Sequence, residues 1–264
     1  MQEFADKVAV VTGGASGIGK ATAALIAKEG GSVVFCDCRE DAVAEVLAEF
    51  ADRFPAISGL VADVASAADM ERLVRFTVET FGGIDILVNN AGIQMFGSVV
   101  DLGEDDWDRT LAVNLKGTFL ASKFAVPEMR KRGGGTIVNV ASVHAFATIS
   151  NRVAYAASKT GLVGLTRAMA LDHGPENIRV NVVCPGPVDT PMLRDAWARI
   201  HPGRPVSELL DELAELVPVG AVGRPEEVAE MIAYLAGRRS GFVNGGEFKI
   251  EGGVSARYSI APRP

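Results

Sequence analysis

Cysteine is scarce in this sequence, and no group of residues has the spacing of a metal site. Only three cysteines occur in 264 residues: Cys184, and the pair Cys36 and Cys38, which flank Asp37 at the end of an apolar run. Structural zinc sites need closely spaced cysteine or histidine ligands, and secreted disulfide-bonded domains are much richer in cysteine. These shortages exclude a zinc module and a disulfide scaffold. We expect reduced, buried or half-buried thiols in a cytoplasmic protein that holds no metal.

The sequence also has fewer basic than acidic residues, and it has no long apolar run. The 26 lysines and arginines are outnumbered by 33 aspartates and glutamates, so the net charge is -7. Nucleic-acid-binding domains normally carry a clustered excess of basic residues, which is missing here. No apolar run reaches the roughly 18 residues of a membrane-spanning helix, and the first residues do not resemble a targeting signal. We therefore expect neither a nucleic acid nor a membrane as a partner.

The chain does contain a regular alternation of short apolar runs and helical patterns, which predicts a parallel sheet with helices on both faces. We expect a single domain over residues 1–264. The segment at about 188–219 has a looser pattern with one or two short amphipathic helices, and we interpret it as a lid over the substrate. The predicted strands are 7–11, 32–36, 58–64, 84–89, 136–141, 179–184 and 247–250, and the longer helices are 20–29, 41–54, 65–81, 105–132, 152–173 and 225–236.

A glycine-rich turn follows the first predicted strand and precedes the first helix. Its sequence is Thr12-Gly13-Gly14-Ala15-Ser16-Gly17-Ile18-Gly19. Glycines let the backbone approach a pyrophosphate, which then sits at the positive end of the helix. Asp37 ends the second strand, where a carboxylate binds ribose hydroxyls and repels a 2′-phosphate. We therefore expect NAD rather than NADP. The uncharged Ser16 agrees with NAD, whereas Arg39 would suit a 2′-phosphate and argues against it.

Tyr155 and Lys159 are four residues apart in a predicted helix, so their side chains leave the same face one turn apart. A phenol has a pKa of about 10, and a nearby ammonium group favours its ionised form. The pair therefore suits acid/base catalysis, although this spacing alone also occurs on solvated helices. Arg152, on the preceding turn, is placed to reach the same site.

The order of these motifs resembles the short-chain dehydrogenase/reductase (SDR) family from about Lys7 to Gly253. The resemblance implies a doubly wound Rossmann fold with a mainly parallel seven-stranded sheet, and a homotetramer or homodimer. Glu251 departs from the aspartate that the family usually has there, which puts little in doubt. The motifs are the Thr12–Gly19 turn, Asp63, Asn89-Asn90-Ala91-Gly92, Asn114, Ser142, Tyr155-x-x-x-Lys159 and Pro185-Gly186.

By this resemblance the chain is an NAD-dependent oxidoreductase that transfers hydride between a secondary alcohol or ketone and nicotinamide. Tyr155 would be the general acid/base, Ser142 would hold the substrate oxygen, and Lys159 would bind the nicotinamide ribose and lower the pKa of the tyrosine. Asn114 would anchor a water molecule of a proton relay. The residues expected to bind the cofactor are Gly13, Ser16, Gly17, Ile18, Gly19, Asp37, Asp63, Val64, Asn90, Ala91, Gly92, Tyr155, Lys159, Pro185, Gly186, Val188 and Thr190.

Three polar residues lie where the family usually builds its substrate pocket: Gln94, His144 and Arg152. Together with Ser142 and Tyr155 they suit an anionic substrate, because a guanidinium binds carboxylates well. The trio resembles members acting on 3-hydroxycarboxylates such as 3-hydroxybutyrate or on sugar acids, and a comparable arginine serves a sulfonate in others.

Several alternatives remain for the substrate and the role of the chain. Arg152 would bind no substrate if it paired with an aspartate or glutamate of a neighbouring subunit. Independently, His144 would be a loop histidine if its partner were the backbone, and Gln94 would have no substrate role if it only fixed a loop. A neutral secondary alcohol, a cyclic ketone or a 3-oxoacyl thioester would use the apolar side chains of the pocket. A non-catalytic NAD-binding scaffold is a further alternative. The apolar residues are Met95, Phe96, Phe146, Met192 and Trp197.

Overall fold

The computed structural model of the protein describes residues 2–256, and its centre is a parallel sheet of seven strands in the order β3-β2-β1-β4-β5-β6-β7. The neighbours β1 and β4 are separated along the chain by β2 and β3, so the strand order reverses between them. Such a switch point opens a crevice at the carboxyl ends of the strands, where ligands bind in this class of fold. The strands are β1 (Val8–Thr12), β2 (Ser32–Asp37), β3 (Ile57–Val61), β4 (Ile86–Asn89), β5 (Gly135–Val140), β6 (Ile178–Pro185) and β7 (Glu247–Ile250).

Helices cover both faces of the sheet. Helices α1, α2 and α9 share one apolar core with the sheet, and α3, α5 and α6 share the other. The seven-stranded Rossmann-like architecture predicted from the sequence is thus confirmed. The helices are α1 (Gly17–Lys28), α2 (Glu40–Phe50), α3 (Ala67–Phe81), α4 (Glu104–Leu111), α5 (Gly117–Lys131), α6 (Val153–His173), α7 (Pro191–Ile200), α8 (Val206–Leu216) and α9 (Pro225–Ala236).

Strand β1 shows why the sequence has continuous apolar runs instead of alternation. Ala9 and Val11 pack into the core on the α1 side, while Val10 packs into the core on the opposite side. All three residues are fully buried. Since helices cover both faces of a parallel sheet, successive positions of a central strand are buried on alternate sides and most of them are apolar.

Several boundaries differ from the sequence-based prediction, and three of these differences concern the site. Strand β3 ends at Val61 instead of residue 64, which leaves Asp63 in the following loop. Helix α1 begins at Gly17 instead of residue 20. The helix predicted over 105–132 is interrupted by a π-helical turn at Ala112–Lys116. Such turns are often found at functional sites, and this one contains Asn114.

The cysteines are free thiols, as expected, but one of them is not buried. Cys36 and Cys184 are buried, whereas Cys38 is exposed because it follows the last residue of β2. Within residues 2–256, no helix is long and apolar enough to cross a membrane, and no group of three potential metal ligands occurs. The predicted single domain extends over residues 1–264, of which residue 1 and residues 257–264 lie outside the described part.

Candidate active site

The glycine-rich turn forms a backbone cradle at the start of α1. Gly13 and Gly17 have φ values of 64° and 50°, in the left-handed region that favours glycine. A Cβ atom on Gly19 would lie 2.2 Å from the carbonyl oxygen of Gly13. Ser16 makes no side-chain cap, and the first turn of α1 contains no acidic residue. The N–H groups of that turn therefore suit an anionic group, and the cradle fits the diphosphate of a dinucleotide.

Asn90 and Ala91, which follow β4, hold this turn from the neighbouring strand. The Asn90 Nδ2 atom donates to the carbonyl oxygens of Thr12 and Gly13 at 3.1 and 3.0 Å. The Thr12 hydroxyl accepts from the backbone N–H groups of Asn90 and Ala91. The structure thus shows Asn90 bracing the cradle, while its predicted contact with the cofactor stays a prediction.

Asp37 at the end of β2 forms an ion pair with Arg39, the residue that argued against NAD in the sequence. The carboxylate of Asp37 is 9% exposed and accepts from the Arg39 backbone N–H and from Arg39 Nε at 3.2 and 3.1 Å. Arg39 Nη2 also donates to Ser16 Oγ at 3.3 Å. Arg39 therefore lies between Asp37 and the glycine-rich turn, at the edge where an adenosine ribose would bind.

Asp63 and Val64 follow β3 on the same edge of the sheet. Asp63 accepts hydrogen bonds from the Ala65 backbone N–H at 2.9 Å and from Arg109 of α4 at 3.0 Å. Val64 is buried against the backbone of Gly117, where a Cβ atom would lie 2.9 Å from Val64 Cγ2. The Asp63–Arg109 ion pair could not be predicted from local sequence patterns, because its partners are 46 residues apart in the chain.

Pro185 ends β6, and Gly186, Val188 and Thr190 lie in the segment that follows it. A Cβ atom on Gly17 would lie 3.0 Å from Thr190 Cγ2, so these two residues are in close proximity. The Thr190 hydroxyl caps α7 by accepting from the Leu193 backbone N–H at 3.3 Å. The predicted cofactor residues outside α6 thus lie at the carboxyl ends of five strands of the sheet: β1, β2, β3, β4 and β6.

Asn114 joins the loop after β4 to helix α6. Its side chain is fully buried, accepts from the Ile93 N–H at 2.8 Å and donates to the Ile93 carbonyl at 3.0 Å. The same amide donates to Ser158 Oγ at 3.0 Å. The π-helical turn aims this amide at both partners, which fixes the loop against α6. Its predicted anchoring of a water molecule is not addressed by these contacts.

Ser142, Tyr155 and Lys159 meet at the carboxyl end of β5. The Tyr155 phenol is hydrogen-bonded to Ser142. Lys159 Nζ lies 5.6 Å from the centroid of the Tyr155 ring and donates to the Val140 carbonyl at 2.9 Å. Lys159 is only 3% exposed, and burial lowers the pKa of its ammonium group to about 8. The sequence therefore placed these three side chains together correctly.

Opposing effects act on the pKa of Tyr155. Burial raises it above the ordinary value of a phenol, and the hydrogen bond with Ser142 and the charge of Arg152 only partly oppose this effect. The predicted lowering of this pKa by Lys159 stays a prediction.

Arg152 is a buried cation that has no acidic partner among the residues that the structure describes. The residue is 5% exposed, Nη1 donates to the Asn151 carbonyl at 3.0 Å, and Nε has no hydrogen-bond partner. The guanidinium carbon lies 3.9 Å from the centroid of the Phe96 ring. Within residues 2–256 no carboxylate forms an ion pair with Arg152. Its charge nevertheless acts on Tyr155, so it belongs to the catalytic neighbourhood.

His144 lies against Tyr155 in an edge-to-face contact with ring centroids 5.4 Å apart. Burial and the charge of Arg152 lower the pKa of the imidazole to about 4, so the ring is neutral at pH 7. Its Nδ1 atom is hydrogen-bonded to Thr148 Oγ1 at 2.7 Å. In the anion site predicted for Gln94, His144 and Arg152, this ring would therefore supply a neutral hydrogen-bonding group and no charge.

Gln94 is half-buried, and its side chain forms no hydrogen bond within residues 2–256. Its role in the predicted anion site therefore stays a prediction.

Next to Arg152 the structure contains a pocket of about 470 Å³ between the loop after β4, the start of α6 and the end of α7. Its lining includes Phe96, Asp101, Ile149, Arg152 and Ile200.

The chain belongs to the short-chain dehydrogenase/reductase family of oxidoreductases. A family model described as enoyl-(acyl carrier protein) reductase matches residues 13–255. An uncharacterized oxidoreductase of Thermotoga maritima is 41% identical over 96% of this chain and 99% of its own length. The family uses a nicotinamide cofactor, which agrees with the cradle and with the polar groups around it.

Two further relatives act on different kinds of molecule, judging from their names. A subunit of (2S)-[(R)-hydroxy(phenyl)methyl]succinyl-CoA dehydrogenase from Thauera aromatica is 40% identical over 95% of this chain and 97% of its own length. The crystal structure of levodione reductase superimposes with a TM-score of 0.92 and 34% identity, covering 97% of this chain and all of that one. Similarity to these relatives shows the family but leaves the substrate open.

Proposed function

We propose that this protein is an NAD-preferring dehydrogenase of secondary alcohols whose substrate carries an anionic group bound by Arg152. The observation that supports this function best is the buried guanidinium of Arg152, which forms an ion pair with no carboxylate of residues 2–256. It lies one helical turn before Tyr155, so a substrate bound to Arg152 would present its carbinol carbon to the phenol.

Burial of an unpaired charge is costly, since the desolvation of an ion in a protein interior amounts to several kcal/mol. Proteins normally offset this cost with a partner of opposite charge. Arg152 has an aromatic ring and one carbonyl instead. An anionic substrate would supply the missing partner, and a carboxylate or a sulfonate matches the fork of donors on a guanidinium.

The residues of the chain divide the chemistry among them. When bound, the nicotinamide supplies the hydride acceptor or donor and, in its oxidised form, a positive charge. Tyr155 takes the hydroxyl proton of the alcohol, or returns it to the ketone in the reverse direction. Ser142 holds the substrate oxygen beside the phenol, and the buried ammonium of Lys159 stabilises the phenolate. Arg152 orients the substrate through its anionic group.

The preference for NAD rests on Asp37. Its nearly buried carboxylate would be forced against the phosphate of NADP, at a cost of like-charge repulsion. Arg39 already interacts with Asp37 and is therefore a weaker ligand for that phosphate. We expect a higher kcat/KM with NAD⁺ than with NADP⁺, and we expect Asp37→Ser to narrow the difference. A higher value with NADP⁺ in the unchanged protein would contradict the proposal.

The substrate class is tested with matched pairs of secondary alcohols, each pair consisting of an acid and its methyl ester, followed by NADH absorbance. We expect the acids to be preferred by at least about tenfold in kcat/KM, because a hydrogen-bonded charge contributes about 1.5–3 kcal/mol. Arg152→Gln should abolish this preference by raising KM for the acids alone. An unchanged KM for the best acid would show that Arg152 does not bind substrate.

A neutral cyclic ketone or secondary alcohol is the second candidate, supported by the similarity to levodione reductase. The apolar side chains of Phe96, Ile149 and Ile200 in the pocket would suit such a substrate. The same matched pairs decide between the candidates, because a neutral substrate would favour the esters. A 3-oxoacyl thioester is included in the panel as a third type of neutral carbonyl compound.

We also propose that the protein is a homotetramer or homodimer. The support is an apolar groove on α4, α5 and α6, where Phe119 remains 49% exposed beside Leu115 and Leu165. Large exposed apolar patches are typical of subunit interfaces. Light scattering coupled to size-exclusion chromatography measures the mass directly, and a monomer of 27.7 kDa would contradict the proposal.

A further inference from the structure

Two arginines from separate elements share one aromatic ring beside the pocket. Arg152 at the start of α6 has its guanidinium carbon 3.9 Å from the centroid of the Phe96 ring. Arg199, in the last turn of α7, has its guanidinium carbon 5.3 Å from the same centroid. The face of an aromatic ring attracts cations, so Phe96 holds two like charges in one place.

Arg199 differs from the other arginines of the α7–α8 segment. Arg194 forms two hydrogen bonds with Asp189 at 2.6 and 2.7 Å, and Arg204 forms two with Glu212 at 2.6 and 3.0 Å. In the described part of the chain, the side chain of Arg199 forms neither a hydrogen bond nor an ion pair. Its contact is with the ring of Phe96, so its donors are available for a ligand.

The charges that face the pocket leave it net positive. Arg152 lines it and Arg199 stands beside it, and Asp101 is the acid on its wall. The Asp101 carboxylate is exposed and accepts a hydrogen bond from the Ser98 hydroxyl. A ligand with one oxyanion would therefore neutralise the pocket, and the remaining wall of Ile149 and Ile200 would contact hydrocarbon.

We propose that Arg199 is a specificity-determining residue that completes the anion site begun by Arg152. The substrate would then be a short hydroxy acid or keto acid whose carboxylate is shared by the two guanidinium groups. One guanidinium occupies two lone pairs of a carboxylate, and two lone pairs remain for a second one. This inference rests on the proposed function, since Arg199 has no anion to bind if Arg152 binds none.

The two arginines would also couple binding of an anion to closure of the α7–α8 segment over the pocket. Arg152 is buried and fixed at the start of α6, whereas Arg199 is exposed on α7. A carboxylate bound to Arg152 would attract Arg199 and draw the end of α7 toward the pocket. Because that closure depends on charge, a neutral analogue of the same size would not produce it.

The kinetic test uses Arg199→Gln with the best acid from the matched pairs and with its methyl ester. We expect KM for the acid to rise by about tenfold, the equivalent of one lost charged hydrogen bond, while kcat changes by less than about threefold. KM for the ester should not change. Arg199→Lys, which keeps the charge, should restore part of the affinity. Arg75→Gln removes the same charge from an exposed position on α3 and serves as the control.

The outcomes separate this inference from the proposed function. If Arg152→Gln abolishes the preference for the acid and Arg199→Gln leaves it intact, Arg199 does not bind the anion. This result overturns the inference and leaves the proposed function standing. If neither substitution alters that preference, both proposals fail. An equal rise in KM for acid and ester in Arg199→Gln indicates a general disturbance of α7 and also overturns the inference.

A second readout does not depend on turnover. Trp197 lies on α7 and stacks on His201 with ring centroids 5.3 Å apart. With Trp107→Phe as background, Trp197 is the only tryptophan left. In the presence of NAD⁺, we expect saturable changes in its fluorescence with acetate, butyrate or succinate, and none with butyramide. These changes should be lost in Arg199→Gln. A response that survives the substitution, or a response to none of the three carboxylates, overturns the inference.

Discussion

Asp85 at the amino edge of the sheet and the two cations Lys159 and Arg152 at its carboxyl edge are all buried, but their partners differ. At the amino edge Asp85 accepts hydrogen bonds from Lys7, Arg132 and the Val8 backbone N–H at 2.9–3.1 Å. At the carboxyl edge Lys159 and Arg152 each donate to a carbonyl, and neither forms an ion pair in residues 2–256.

This difference indicates that the buried charge at Asp85 serves the stability of the fold, whereas the buried charges at Lys159 and Arg152 serve function. A buried carboxylate that receives three donors contributes to stability, because its charged form is better solvated by the protein than a lone buried charge would be. Two buried cations without acidic partners lower stability and are expected where a ligand or a reaction intermediate supplies the negative charge. Substitutions at the two edges should therefore have effects of opposite sign, and the following experiments test that expectation.

The largest effect is expected for Tyr155→Phe, which removes one oxygen from the carboxyl edge and leaves both cations in place. General acid/base catalysis typically contributes between 10² and 10⁴, so we expect kcat to fall by about 10³. The Kd for NADH should change by less than about threefold. Tyr234→Phe on the surface of α9 is the matched control. If Tyr155→Phe keeps its activity, another residue is the general acid/base. If the variant loses turnover but keeps the biological effect of the protein, the non-catalytic NAD-binding scaffold is favoured.

Gly19→Ala should disrupt the cofactor cradle without touching the catalytic residues. The added methyl group would lie 2.2 Å from the Gly13 carbonyl oxygen and 2.4 Å from Asn90 Nδ2, so the turn must move. We expect the Kd for NADH, measured by fluorescence titration, to rise by about 100-fold, since misplaced donors lose the diphosphate. Gly103 has free space around it, and Gly103→Ala should bind NADH normally. Normal binding by Gly19→Ala would mean that the cradle is not the nucleotide site.

Lys159→Met should inactivate the enzyme and stabilise the fold. Burial lowers the pKa of Lys159 from 10.5 to about 8, so the unfolded chain binds a proton that the folded one lacks between these values. Stability therefore rises with pH through that window, and below pH 8 the buried charge costs about 3 kcal/mol. After subtraction of the lost hydrogen bond to Val140, we expect a gain of about 2 kcal/mol at pH 7. Thermal unfolding should show a higher Tm at pH 7 and a smaller difference at pH 10; a lower Tm at pH 7 would contradict the argument.

The features that could be predicted from the sequence are those that depend on neighbours in the chain. The strand β1, the glycine-rich turn and the Tyr155–Lys159 pair follow from local patterns of apolar residues, glycines and helical spacing. The parallel sheet with helices on both faces follows from their alternation, and the family resemblance supplied the number of strands. These predictions are confirmed by the structure.

The features that were missed depend on residues far apart in the sequence. The π-helical turn contains Asn114, whose side chain is hydrogen-bonded to both Ile93 and Ser158. Arg199 had no sequence signal, because its importance comes from Phe96 more than 100 positions earlier. Arg152 was recognised as a candidate, but only the structure shows that no acid of residues 2–256 accompanies it.

The smallest effect is expected at the amino edge, from Asp85→Asn. Burial alone would raise the pKa of this carboxyl, but the hydrogen bonds from Val8, Arg132 and Lys7 outweigh it and leave the pKa below its ordinary value. A carboxyl with a depressed pKa contributes stability above the unfolded value of about 3.9, and that contribution is lost as the pH falls through the folded value.

We therefore expect Asp85→Asn to lower the free energy of unfolding by about 1.5 kcal/mol at pH 7, the contribution of a charged hydrogen bond. Urea unfolding should show the same difference at pH 5, and the difference should shrink below pH 4 as the native carboxyl is protonated. Asp52→Asn, on an exposed turn, should have no such effect. Lys159→Met is expected to raise the free energy of unfolding and Asp85→Asn to lower it. A change of the same sign in both variants would show that Lys159 and Asp85 do not differ in their contribution to stability.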